Sequence, residues 1–132
     1  EAISNFDIHR RIVDIFTLWE SLLLENDSVN IQESLIQYGQ FILRINDEEF
    51  KNFKSFLMGM YSIRSEVVHH ANYKILKMEK VAELQKHTTN LIEGLIEFSK
   101  VYNSKKIMLN SIFEKLGDNK ESIYKKSINT NL

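Results

Sequence analysis

The residues in this sequence best suited to chemistry lie in one short stretch, YSIRSEVVHHANY, at 61–73. Arg64 carries a permanent planar cation that can give paired hydrogen bonds to phosphate or carboxylate oxygens. His69 and His70 are of the one type that gives and takes protons near neutral pH. Ser65 and Glu66 stand between them, Glu66 as a candidate acidic partner for the histidines or a plain surface charge. Tyr61 and Tyr73 flank the group, offering hydroxyls or a stacking surface for a base, and equally fit ordinary core or rim aromatics. A metal centre is not expected. Neighbouring histidines on a helix point about 100° apart, there is no H-E-x-x-H spacing, and the chain has no cysteine.

These residues need a helix to carry them. Phe50, Phe53, Leu57, Met60, Tyr61, Val67 and Val68 form an apolar stripe at helical spacing over Asp47 to His70. Arg64 lies within it, seven positions after Leu57, where a leucine would be ordinary. A buried, unpaired guanidinium costs several kcal/mol, so Arg64 must find a carboxylate, reach solvent or line a cleft. Glu20, beside Trp19, is the candidate carboxylate for a purely structural ion pair. Arg64 and His69 point about 140° apart on an ideal helix, so one face cannot hold both. Either the helix ends near Val68 and lets His69 swing, or a second copy of the chain completes the cleft.

The rest of the chain reads as helices around this one. Proline is absent and there are only four glycines. Ile8, Ile12, Ile15, Phe16, Trp19, Leu22 and Leu23 predict a first helix over about 5–25. Ile31, Leu35, Tyr38, Ile42 and Ile45 predict a second over about 30–45. Asn46 with Glu49 is a capping box opening the third. Val81, Leu84, Thr88, Leu91, Leu95 and Phe98 mark a fourth over about 77–102, and a shorter fifth covers about 104–116, closed by Gly117. The fold class is all-α: an antiparallel bundle of four long helices plus a shorter C-terminal one. Residues 1–117 make one domain, and 118–132 a polar, lysine-rich tail expected to be poorly ordered or weakly helical.

At 43% apolar and 27% charged residues the chain reads as soluble, with no apolar run long enough for a membrane span. No export leader is evident, which fits a cytoplasmic protein. A first residue of Glu1 suggests a piece of a longer protein. The net charge of −1 hides a split: residues 1–60 hold five Lys/Arg against ten Asp/Glu, residues 61–132 twelve against eight. A basic excess beginning at the motif suits a polyanion, or only a solvated surface. His9 with Arg10 and Arg11 reads as a solvated basic patch, His87 as an ordinary helix histidine, and Met58, Met60, Met78 and Met108 as scattered core fillers.

Arg64 to His69 also matches R-x-x-x-x-H, and the sequence here resembles the HEPN superfamily of helical domains. MYSIRSEVVHH resembles the phrasing of the ApeA-like HEPN group, and IFTLWESLLLEND followed by a second amphipathic helix resembles that group's order. The resemblance covers roughly 12–102. Two departures are Ser65, where a polar Asn, Asp or His is common, and His70, where glycine is common. What it implies is a metal-independent endoribonuclease without cofactors, acting on RNA as a homodimer through the motif-bearing face. His69 would be the general acid/base and Arg64 the phosphate and transition-state stabiliser. It further implies an effector domain of a prokaryotic anti-phage defence or toxin protein, with a sensor domain before residue 1. The alternative is a non-catalytic HEPN-type module for dimerisation or for binding RNA or a nucleotide, since the superfamily holds both kinds.

Overall fold

The computed structural model describes residues 5–26, 28, 30–71 and 76–117. Five helices fill them: α1 (Asn5–Leu23), α2 (Ile31–Leu43), α3 (Asp47–His70), α4 (Met78–Ser99) and α5 (Lys105–Lys115). Their order and type are those the apolar spacing predicts, each ending within three residues of expectation. None of them is long and apolar enough to cross a membrane. Tyr73 and the 118–132 tail lie outside the described residues.

Local signals set the boundaries. The Asn46 side chain accepts a hydrogen bond from the Glu49 amide at 2.9 Å, opening α3 with three acidic residues in its first turn, where the helix dipole favours them. Ser104 caps α5 in the same way through the Ile107 amide. Gly117 takes φ 62 just past α5, the left-handed conformation a helix-terminating glycine supplies.

Packing centres on Trp19, fully buried, whose indole N–H donates to the Thr88 hydroxyl at 2.9 Å. That hydroxyl in turn donates to the Leu84 carbonyl at 2.7 Å, so both polar groups are satisfied inside the core. Ile12, Phe16, Leu35, Ile36, Leu57, Val81, Leu84 and Leu91 complete the centre, all at most 1% exposed. Burying each such side chain stabilises the fold by about 1.5–3 kcal/mol. Gly39 leaves room for the ring: a Cβ there would meet Trp19 Cζ3 at 3.0 Å.

Four expectations need correcting. His9 is not a solvated patch but fully buried, because it sits seven residues before Phe16 on the same face; Arg10 beside it is exposed. α2 is rotated from its expected stripe, burying Ser34 and Gln37 while leaving Ile31 at the surface. Its core side is set by the close approach of Trp19 at Gly39. Met58 and Met78 are exposed, and only Met60 and Met108 fill the core. Val68, placed in the α3 stripe, is 48% exposed.

Candidate functional site

The site is built where α1 and α3 run antiparallel. Phe16 meets Tyr61, while Phe6, Arg10, Val13 and Asp14 line one groove with Val67 and Val68 further along. Side chains lean toward the N-terminus of their own helix, so on antiparallel helices Arg64 and Glu20 lean toward each other. Arg64 Nη2 lies 3.6 Å from Glu20 Oε2, both side chains about one-fifth exposed. The guanidinium also covers the Tyr61 ring, its Cζ 5.2 Å from the centroid. Phe16 fixes that ring from the core side at 5.1 Å and 84°.

This hold on Arg64 is loose. At 3.6 Å the ion pair is longer than a good charge-assisted hydrogen bond. Arg64 Nε and Glu20 Oε2 are both buried and accept or donate no hydrogen bond among the described residues. Burial without a partner is costly, so the pair holds unspent bonding capacity that an incoming ligand could use. Burial and the Glu20 charge push the Tyr61 phenol above its ordinary range, with Arg64 opposing, so the ring stays neutral.

Full burial along α3 stops at Met60. Residues 61–67 are partly buried except Ser62, which is exposed, as are 68–70. His69 and His70 stand in the last turn, their rings 6.4 Å apart. The helix does not end at Val68 as one expectation allowed. It continues through His70 and closes at Ala71, whose φ of 50 lets its N–H reach the carbonyls of Glu66 and Val67. His69 therefore keeps regular helical phase, about 140° from Arg64.

Thus Arg64, Glu20 and Tyr61 are brought together, with Ser65 and Glu66 half-exposed on the same turn, while His69 and His70 point elsewhere. Beside them Phe6, Arg10, Val13, Asp14, Val67 and Val68 line an open, mainly apolar groove of about 250 Å³. Reasoning from sequence paired Arg64 with Glu20 but missed Tyr61 as the surface beneath the guanidinium; the three-residue spacing of Tyr61 and Arg64 was the available signal.

A second polar cluster lies nearer the N-terminal end of α3. His87 of α4 packs edge-on to Phe53 at 5.3 Å and against Phe56 at 5.7 Å, with Glu83 Oε2 3.8 Å from Nε2. Burial lowers the His87 pKa, Glu83 opposing and Lys86 reinforcing. Comparison with protein-family models, curated proteins and solved structures finds no match to this chain.

Proposed function

We propose that this chain is a HEPN-type, metal-independent endoribonuclease domain working as a homodimer, an effector of prokaryotic anti-phage defence or of a toxin. The observation that carries the reading is Arg64: a cation in an apolar stripe, held by a long ion pair and a ring face, its N–H groups unspent in hydrogen bonds among the described residues. Such a guanidinium can receive phosphate oxygens without first losing a strong partner. His69 supplies the proton chemistry. Its imidazole removes the proton of a ribose 2′-hydroxyl; the oxygen attacks the adjacent phosphorus; the 5′-oxygen leaves with a proton, giving a 2′,3′-cyclic phosphate. Arg64 offsets the charge that grows on the phosphoryl oxygens.

Regular helical phase keeps His69 of one chain away from its own Arg64, so the reading requires a second copy. The groove beside the motif suits one. Arg10 and Asp14 lie one turn apart among Phe6, Val13, Val67 and Val68. Across a two-fold axis an antiparallel α1 would set each Arg10 opposite the partner's Asp14, with the apolar residues covered between them.

Incubation of RNA with the chain in chelator-containing buffer tests this. Expected are fragments ending in cyclic phosphate, none from DNA of the same sequence, and loss of cleavage in Arg64→Ala and His69→Ala. Mixing these two variants should restore part of the activity if sites are shared across the axis. RNA left intact by the unmodified chain sinks the reading. The Glu20–Arg64 pair itself favours a second one, a non-catalytic helical module that dimerises or binds RNA or a nucleotide through the same face.

A further inference from the structure

The two contacts on the Arg64 guanidinium differ in kind. Glu20 approaches one nitrogen at 3.6 Å, a contact of charge that leaves the plane of the group free to turn. Tyr61 lies beneath the central carbon, and a ring face constrains the plane. The ring cannot turn at will, because Phe16 meets it edge-on and Phe16 is fully buried. Orientation therefore passes from the core, through Phe16 and Tyr61, to the guanidinium at the rim.

We propose that Tyr61 is a positioning residue: an aromatic shelf that fixes the plane of the Arg64 guanidinium so that its donors meet the phosphoryl oxygens in a set orientation. The proposal rests on the phosphate-handling role given to Arg64 above. It assigns the function to the ring and not to the hydroxyl, which makes no hydrogen bond among the described residues. A neutral phenol suits this, and burial with the nearby Glu20 favours neutrality. It also replaces the base-stacking role that the sequence suggested for Tyr61, since one face of the ring already carries the guanidinium.

The experiment compares Tyr61→Phe, which keeps the ring, with Tyr61→Leu and Tyr61→Met, which remove it. Two quantities are measured on the full chain. One is the ring-current shift of the Arg64 Nε–H proton in nitrogen-15 spectra, assigned among the four arginines by Arg64→Lys. The other is kcat and KM for RNA cleavage without metal. Tyr61→Phe should keep both near the unmodified values. The ringless variants should lose the shift and drop kcat roughly 10- to 100-fold with little change in KM, because the charge remains and only its orientation is lost. An unchanged kcat in a folded ringless variant, or damage in Tyr61→Phe equal to that in Tyr61→Leu, overturns the shelf. If the unmodified chain cuts no RNA, the ribonuclease reading fails by itself. The Arg64 signal then decides the shelf alone, and an unchanged shift in Tyr61→Leu refutes it.

Discussion

Removing the two partners of the Glu20–Arg64 pair singly and together measures how firmly Arg64 is tied to the fold. The variants are Arg64→Met, which keeps the apolar stem, Glu20→Gln, and the double change. At 3.6 Å and an effective dielectric of about 20, the direct attraction is about 4–5 kcal/mol. Much of this is offset, because each side chain is about four-fifths removed from water and each retains a buried polar atom without a hydrogen bond. The coupling should therefore be about 1–2 kcal/mol, above the 0–1 kcal/mol of surface pairs and below the 3–5 kcal/mol lost on breaking a well-made buried pair. Each single change should lower the melting temperature by roughly 4–8 °C. The one tryptophan, Trp19, is fully buried and reports unfolding in urea directly. A coupling of 3–5 kcal/mol would refute the reasoning, showing an arginine committed to the core and not available to a ligand. A coupling of zero would show that the pair adds nothing to the fold and that Arg64 is held by other contacts.

Three other perturbations test the frame that holds the site. Thr88→Val strips the acceptor from the Trp19 indole and should cost about 1–3 kcal/mol, seen as a lower urea midpoint and faster exchange of the indole proton. His87 has a folded pKa below its unfolded value, so the unfolded chain binds the proton more readily; stability is full above about pH 6.5 and falls as the pH drops below it. His87→Gln should flatten that part of the stability profile, and an unchanged slope would remove His87 as its cause. Gly94→Ala would set a Cβ 2.8 Å from Ile42 Cγ2 and 3.2 Å from the Ile42 carbonyl oxygen, where α4 crosses α2. The clash should outweigh the gain of about 1 kcal/mol in helix propensity, leaving a net loss in thermal melts.

Helix positions were legible because the signals are local: apolar spacing, no proline, a side-chain cap at Asn46 and a glycine at 117. What sequence hid depends on how helices meet. The facing side of α2 is chosen by the Trp19 ring at Gly39, a contact between two helices, so Ser34 and Gln37 were not recognised as buried. His9 was misplaced because two arginines follow it, although its seven-residue spacing from Phe16 carries the correct answer. At the site, the need for a carboxylate near Arg64 follows from the cost of a buried cation, and Glu20 answers it. The shelf beneath Arg64 required the register of α1 against α3, because Phe16 holds the Tyr61 ring.

Along that register the motif lies where burial on α3 falls off. Full burial on α3 ends at Met60, Tyr61 and Ile63 pack part-buried against the core beyond it, and the stripe continues through Arg64 to Val67 and Val68, with Phe6 across the groove exposed. An apolar stripe prolonged past its own core is favourable only if something else covers it. Ala71 pays toward this order, since a left-handed φ at a residue with a side chain costs about 1 kcal/mol and serves to close α3 after His70. Replacing Ala71 with Gly should recover part of that cost and still leave His69 in helical phase. The two histidines are thus held on a finished helix end, beyond the core, and turned away from the Arg64 of their own chain. A second copy of the chain at the groove would cover Val67 and Val68 and bring its own helix end toward Arg64, which is the step the mixed Arg64→Ala and His69→Ala experiment isolates.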